Sequence, residues 1–359
     1  MTRITDVKAY LLPKTPPPAT FRWRQGLPGS EPFDQFAVLH ILTDDGVDGF
    51  SEIRRGQIAL DVVARRLKQM LVGENPLMKE RLWKKMWEVD RIEEFPIYML
   101  GAVDIALWDI TSKVANLPLY QLFGGYRTSI PAYASTVTFS TIDEFLSVAD
   151  QCLTLGYPAI KLHAWGDARR DAMLAKALRR HVGDQVPLMY DGSAGFDFQD
   201  ALYLGQALED AGFLWYEEPM REFSINSYRR LRSQLKIPLL VAETSDGCHY
   251  NTADFIHFSA GDIVRTSTAL KGGFTGALRI AHLADAYQLR AEVHGGGLPN
   301  LHVACAIPNT TYYESLITTN PASRESLVDE KGMVTVPQIA GIGSQWDADT
   351  LGKTAVAII

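Results

Sequence analysis

Three carboxylates stand at equal spacing in the middle of this chain, and each ends an apolar run. Asp191 ends LMYD, Glu217 ends LWYE and Glu243 ends LVAE, and both intervals are 26 residues. Such runs are typical of buried parallel strands, and neighbouring strands lie about 4.8 Å apart. A lone carboxylate after a strand usually caps a helix. Three in this regular pattern predict instead a site for a hard divalent cation, Mg²⁺, because close carboxylates repel one another without one.

Other reactive side chains lie on neighbouring predicted strands. Lys161 and His163 are alternate residues of AIKLHAW and share one face of the strand. His294 ends RAEVH and precedes three glycines, and Glu314 lies in TYYESL. A metal flanked by two imidazoles and a lysine suits removal of a proton alpha to a carboxylate, because the cation offsets the charge of the enediolate. Two alternatives stay open: Lys161 as an ion-pair partner of the carboxylates, and Glu314 as a structural residue.

The remaining polar side chains near these motifs have simpler interpretations. His181, His249 and His302 are expected to be surface or hydrogen-bonded histidines. Glu218, next to Glu217, is expected to make a structural hydrogen bond or ion pair.

From about residue 129 the chain alternates strand and helix patterns. Amphipathic runs such as DAMLAKALRRHVG separate the strands, so we predict a closed (β/α) barrel whose functional residues lie at the C-terminal ends of its strands. The candidate strands are IPAYAST, AIKLHAW, PLMYDGS, LWYEEP, PLLVAET, DIVRTST, RAEVHGG and TYYESL.

The first 125 residues have a different pattern. Alternating apolar residues around Asp44-Asp45-Gly46 predict an antiparallel hairpin, and three helical runs follow. Between the first two strands, KTPPPATFRWRQGLPGSEP is expected to be a mobile surface loop. We therefore predict an α+β capping domain over 1–125, a barrel over 126–325, and a C-terminal segment, 326–359, that returns to the capping domain.

Composition restricts the class of protein. The chain has 359 residues, 47% hydrophobic content and a net charge of −7, which argues against nucleic acid or an anionic membrane as a partner. It has no apolar stretch of transmembrane length, and its N-terminus is typical of a strand, not a signal peptide. The three cysteines are far apart and are expected to be buried thiols of a cytoplasmic protein. We also expect a homo-oligomer.

With these motifs the chain resembles the enolase superfamily, and within it the mandelate racemase-like subgroup (the mandelate racemase/muconate lactonizing enzyme family), especially acid-sugar dehydratases. The resemblance implies a modified TIM barrel, (β/α)7β, with an α+β capping domain built from both termini. It places the family's Mg²⁺ ligands on Asp191, Glu217 and Glu243.

The resemblance also implies roles for the other motif residues. The family's Lys-x-Lys motif falls on Lys161 and His163, its seventh-strand histidine on His294, and its late glutamate on Glu314. Histidine replaces the second lysine, so His163 would be the base on that face.

One expected residue is absent. Ser267 stands where the family's sixth strand carries the aspartate that pairs with the seventh-strand histidine. Without that partner His294 is expected to be a weaker base and to act as an acid or hydrogen-bond donor. Arg265 or Ser267 would alter the site further.

These residues predict dehydration of a sugar acid to a 2-keto-3-deoxy acid. His163 would take the alpha proton, Lys161 would hold the substrate carboxylate, and His294 would protonate the departing hydroxide. Three alternatives remain: a racemase or epimerase with two bases, a lactone cycloisomerase, and a metal-binding barrel without turnover.

Substrate identity is expected to depend on residues outside this common set. Cations of the capping loops would bind a distal carboxylate or hydroxyls of a small carboxylate substrate, or else would simply be solvated, and Trp165 would form a wall of the pocket. The substrate-binding candidates are Arg22, Trp23, Arg24, Arg54, Trp165 and Ser267.

Overall fold

The chain folds around an antiparallel and a parallel sheet. The computed structural model describes residues 2–13, 21–29, 35–344 and 346–359. Of the loop predicted between the first two strands, residues 14–20 and 30–32 therefore lie outside the described residues.

The antiparallel sheet belongs to the N-terminal α+β part. Strand β2 pairs with both β1 and β3, and the turn between β2 and β3 contains Asp44-Asp45-Gly46, which confirms the predicted hairpin. A π-helical turn, Val63–Leu67, joins α1 to α2. The elements are β1 (Ile4–Leu11), β2 (Ala37–Thr43), β3 (Gly49–Ile53), α1 (Gly56–Val62), α2 (Lys68–Leu71), α3 (Lys79–Glu93), α4 (Ile97–Ala115) and α5 (Leu119–Leu122).

The second sheet contains eight parallel strands within the described residues, and a helix follows each strand except the last. Strand neighbours follow chain order, and the last strand pairs with the first, so that the modified (β/α)7β barrel is confirmed. The strands are β4 (Ser129–Thr136), β5 (Ala159–His163), β6 (Leu188–Asp191), β7 (Tyr216–Glu217), β8 (Leu239–Val241), β9 (Ile263–Thr266), β10 (Arg290–Val293) and β11 (Tyr313–Ile317). The helices are α6 (Ile142–Thr154), α7 (Ala168–Val182), α8 (Phe198–Asp210), α9 (Ile225–Arg232), α10 (Cys248–His257), α11 (Gly273–Ala286) and α12 (Leu298–Ala306).

The barrel interior changes from apolar to charged along the strands. Its apolar layer consists of the buried residues Tyr133, Ala159, Met189, Trp215, Leu240 and Ile263. Alternate residues of a strand face the same side, so on four of these strands the residue two positions later faces the same interior, closer to the C-terminal end. Those four residues are Lys161, Asp191, Glu217 and Arg265.

The chain after residue 325 contacts both sheets. Strand β12 (Met333–Thr335) pairs antiparallel with β4 of the barrel, whereas β13 (Ala357–Ile358), after helix α13 (Ala348–Thr354), pairs with β1. His302 helps to hold this segment, because its ring lies between Tyr120 N, at 3.3 Å, and Ile342 O, at 3.0 Å. No helix in the described part of the chain is long and apolar enough to cross a membrane.

Candidate active site

Strand register explains why three of the predicted residues meet. His163 is paired with Asp191, and Asp191 with Glu217, across adjacent strands β5, β6 and β7. Each of these residues is at most 5% exposed. The sequence spacing thus corresponds to real neighbours at the C-terminal ends of parallel strands, which is where barrel enzymes carry their chemistry.

Lys161 occupies the centre of the carboxylates. Its Nζ atom lies 3.1 Å from Asp191 Oδ2, 3.0 Å from Glu217 Oε2 and 2.8 Å from Glu314 Oε1. The side chain is fully buried, and although burial opposes the charge, Glu217 and Glu314 hold the pKa of Lys161 well above its usual value. In this structure Lys161 is therefore an ion-pair partner of the carboxylates, which is one of the two roles that the sequence left open.

Arg265 is the site residue that the sequence could not place. Its Nη2 atom lies 2.8 Å from Glu217 Oε2, and its Nε atom contacts Oε1 of the same carboxylate. The guanidinium also donates to Tyr133 Oη at 2.9 Å and to Val293 O at 3.1 Å. A charged residue inside the apolar strand IVRT was the available signal, but the sequence did not show that this side chain faces the barrel interior.

His294 has carboxylate partners, contrary to expectation. Its Nδ1 atom lies 3.2 Å from Glu243 Oε2 and 3.3 Å from Glu314 Oε2. Although burial disfavours the imidazolium, these two charges raise the pKa of His294 to about 10. The expectation that His294 lacks a carboxylate partner is wrong, because Glu243, after β8, and Glu314, in β11, replace the aspartate missing at residue 267.

His163 has one nitrogen fixed and one directed to the carboxylates. Nδ1 lies 2.7 Å from Thr136 O, and Nε2 lies 3.0 Å from Asp191 Oδ2. A carbonyl oxygen only accepts hydrogen bonds, so Nδ1 is the donor in the first contact. Nε2 is therefore the nitrogen that can exchange a proton at the site.

The carboxylates themselves are mostly held in the ionised form. Burial would raise the pKa of each, but the charges of His163 and Lys161 hold the pKa of Asp191 well below its usual range. In the same way Lys161 and Arg265 depress the pKa of Glu314, and His294 lowers that of Glu243 to about 2. Glu217 differs, since burial raises its pKa against the opposing charges of Arg265 and Lys161.

The site fits a metal ion in its donor atoms. Glu217, Glu243 and His294 each offer one ligand atom, and these atoms lie within 4.8 Å of one another. Glu243 Oε2 and His294 Nδ1 are buried, and neither forms a well-aligned hydrogen bond to a described residue. Asp191, the third predicted ligand, is outside this group and is connected to Glu217 through Lys161. A buried carboxylate oxygen such as Glu243 Oε2, without a well-aligned partner, is typical of a site that takes an ion or ordered water.

One segment of the N-terminal part lies against this site. The ring of Trp23 is 4.5 Å from that of His163, so Trp23 lies beside this imidazole. Arg24 instead donates to two backbone carbonyls, Ser193 O and Gln25 O, each at 3.0 Å. The contact with Ser193 O anchors the segment to the barrel, and the role of Arg24 as a cation for substrate stays a prediction. Arg22 and Arg54 are exposed, and no contact with another described residue places either at the site.

Two further candidates for substrate binding have buried side chains. Trp165 is 2% exposed, donates to Phe139 O at 2.7 Å, and packs edge-on against Phe145. It belongs to the core, so its predicted role as a pocket wall is wrong. Ser267 is also 2% exposed, and its Oγ accepts from the backbone N–H of Ala269 at 3.3 Å. That contact makes Ser267 a turn residue, not a partner of His294.

Glu218 and His181 agree with their simpler interpretations, whereas His249 does not, because its Nδ1 is buried without a hydrogen-bond partner among the described residues and its ring packs against Trp83 and Tyr250. Glu218 accepts a hydrogen bond from Thr244 Oγ1 at 2.5 Å. His181 pairs with Asp150 at 2.8 Å, outside the site.

Comparison with known families gives two matches. Residues 144–350 match the family described as enolase C-terminal domain-like. Residues 29–124 match the mandelate racemase/muconate lactonizing enzyme N-terminal domain.

Individual relatives of this chain are enzymes of acid sugars and their lactones. Arabinonate dehydratase of Saccharolobus solfataricus is 28% identical over 331 residues, covering 86% of this chain and 87% of its own. D-galactarolactone cycloisomerase of Agrobacterium fabrum is 28% identical, covering 89% and 91%. Among solved structures, D-glucarate dehydratase from Agrobacterium tumefaciens, complexed with magnesium, is 32% identical, with a TM-score of 0.87 and 99% of each chain covered.

Proposed function

The chain belongs to the mandelate racemase/muconate lactonizing enzyme family of enolase-like enzymes, and we propose that it is a Mg²⁺-dependent dehydratase of a sugar acid. The observation that carries the proposal is the meeting of carboxylates and two imidazoles at the C-terminal ends of the barrel strands. The named relatives, two of them dehydratases, support the reaction class. The product would be a 2-keto-3-deoxy acid.

Asp191, Glu217 and Glu243 are the proposed Mg²⁺ ligands. Among the described residues of the site, the carboxylates of Asp191, Glu217, Glu243 and Glu314 face two permanent cations, Lys161 and Arg265. These carboxylates would supply all-oxygen ligation, which favours Mg²⁺. When bound, Mg²⁺ would offset the negative charge that develops on the substrate carboxylate.

His163 is the proposed base. The Thr136 carbonyl fixes the proton on Nδ1 and orients the ring, in the way that an orienting group does in other histidine bases. In its unprotonated form Nε2, which lies 3.0 Å from Asp191 Oδ2, would take the proton alpha to the carboxylate. Trp23, whose ring lies 4.5 Å from the imidazole at an interplanar angle of 47°, would limit access of water to this face.

His294 is the proposed acid. Its two carboxylate neighbours keep it protonated at neutral pH, and loss of a β-hydroxyl needs a proton donor. The imidazolium would deliver that proton, so that the group leaves as water. Lys161, which forms ion pairs with Asp191 and Glu217, is proposed to stabilise the negative charge of the substrate carboxylate.

The experiment is incubation with Mg²⁺ and a panel of acid sugars and simple 2-hydroxy acids in D₂O, followed by proton NMR. New 2-keto-3-deoxy signals would support the dehydratase and identify its substrate. A panel without dehydration or alpha exchange, with the protein shown to bind Mg²⁺, would contradict the proposal for the acids tested.

A second candidate is a racemase, epimerase or lactone cycloisomerase. The partnered His294 favours it more than the sequence did, because two competent imidazoles would suit proton transfer on opposite faces of one carbon. Alpha exchange without dehydration in the same experiment would move the assignment to this class.

A further inference from the structure

The backbone that carries Glu243 is held in an unusual conformation. Ala242, directly before Glu243, has a φ of 66°. This left-handed region brings the Cβ of an L residue close to its own carbonyl and favours glycine. An alanine remains there only if its surroundings hold the chain.

Glu222, in the loop after β7, provides that hold. Its Oε1 accepts from Ala242 N, while its Oε2 accepts from Thr244 N at 3.1 Å and Ser245 N at 2.9 Å. The Glu222 side chain is buried, with 8% exposure. One carboxylate therefore fixes backbone N–H groups on both sides of Glu243.

Lys271 holds the same loop by donating a hydrogen bond to one of its carbonyl groups. Its Nζ donates to Ser245 O at 2.8 Å. Glu222 thus satisfies the N–H groups of the loop and Lys271 a carbonyl, which leaves the Glu243 side chain as the part that faces the site. Glu243 Oε2 remains buried without a well-aligned partner among the described residues.

We propose that Glu222 is a positioning residue that sets the direction in which Glu243 enters the metal site. This inference rests on the proposed function, because it takes Glu243 to be a Mg²⁺ ligand. Groups that orient ligands in this way typically change metal affinity about 10- to 100-fold when they are replaced.

The test is Mg²⁺ binding by calorimetry to the full chain and its Glu222→Gln variant. Glutamine keeps one acceptor oxygen but turns the other towards a backbone donor as an amide NH₂, so at least one N–H around Glu243 loses its partner. The matched control is Glu209→Gln, since Glu209 accepts from Lys236 N at 2.7 Å and Ile237 N at 3.3 Å, outside the described site. Circular dichroism and thermal unfolding establish that each variant is folded.

The expected result is a Mg²⁺ Kd raised about 10- to 100-fold in Glu222→Gln and unchanged in Glu209→Gln. Addition of Ala242→Gly to Glu222→Gln is expected to restore part of the affinity, because glycine adopts the left-handed conformation without support. A merely structural role for Glu222 predicts no such rescue, and the double variant keeps the test open if the single one does not fold.

The outcomes separate this inference from the proposed function. Wild-type protein that binds Mg²⁺ together with an unaltered Kd in Glu222→Gln would overturn the inference alone. Wild-type protein that does not bind Mg²⁺ would overturn both.

Discussion

Arg265 and Glu217 form a two-point ion pair inside the barrel, with Nη2 2.8 Å from Oε2 and Nε in contact with Oε1. Both side chains are at most 1% exposed. Together with Lys161, this pair supplies the fixed positive charge beneath the proposed metal ligands. The arrangement leads to a direct prediction about stability.

Arg265→Met should destabilise the protein by about 3–5 kcal/mol, because it leaves a buried carboxylate without its main partner. Urea unfolding gives the change in the free energy of unfolding. Arg169→Met, which breaks the exposed pair between Arg169 and Asp200, should cost less than about 1 kcal/mol. Equal effects of the two substitutions would show that the buried pair contributes no more than a surface one.

Mg²⁺ should stabilise the folded chain and depend on Glu243. At a concentration 100 times its Kd, one bound ion adds about 2.7 kcal/mol to the free energy of unfolding. Glu243→Gln removes one negative ligand and should abolish most of this gain. Thermal unfolding with MgCl₂, against NaCl at matched ionic strength, measures the effect, and an equal gain in the variant would exclude Glu243 as a ligand.

Acid should weaken the fold through His302. Burial lowers its pKa in the folded protein to about 4, from the ordinary histidine value of 6.5. Below pH 6.5 the unfolded chain takes up a proton that the folded chain does not, so stability falls as the pH drops from 6.5 to 4. The loss from this group amounts to about 3 kcal/mol.

His302→Gln should remove that part of the pH dependence while lowering stability at pH 7. Denaturant unfolding at several pH values measures both, with His181→Gln at the half-exposed pair with Asp150 as control. A pH dependence that His302→Gln leaves intact would assign the acid sensitivity to other groups.

The position of the segment that carries Trp23 should depend more on Arg24, which anchors it, than on the exposed Arg22. Arg24→Ala removes hydrogen bonds from a charged donor to Ser193 O and Gln25 O, each of which contributes about 1.5–3 kcal/mol, so KM should rise at least about tenfold. Arg22 is exposed, and Arg22→Ala should alter KM only if its cation reaches the substrate. Steady-state kinetics on the substrate found by NMR compare the two, and a larger effect of Arg22→Ala would contradict the anchoring role.

The sequence predicted those neighbours in the site that follow from strand periodicity and spacing. Alternation along β5 put Lys161 and His163 on one face, and the 26-residue repeat put Asp191 beside Glu217. Barrel curvature, by contrast, brings Glu243, after β8, and Glu314, in β11, to His294 at the end of β10. No local pattern encodes that meeting, which is why the partners of His294 were missed.

Loop contacts were the least predictable part. The sequence FRWRQG has one arginine on each side of a tryptophan. Nothing in it distinguishes Arg24, bound to backbone carbonyls, from the exposed Arg22. Trp165 was misplaced for a similar reason. It follows β5, and the alternation that orients strand residues does not extend past the strand end.

The central claim is that His163 removes a proton alpha to a carboxylate in a site completed by Mg²⁺. Proton NMR in D₂O, on the acid that the wild-type protein converts, tests it with His163→Asn and with His181→Asn as control. We expect alpha exchange and product with wild type and His181→Asn, and neither with His163→Asn, although that variant still binds Mg²⁺. Undiminished alpha exchange by a folded His163→Asn protein would show that another residue is the base and would contradict the account.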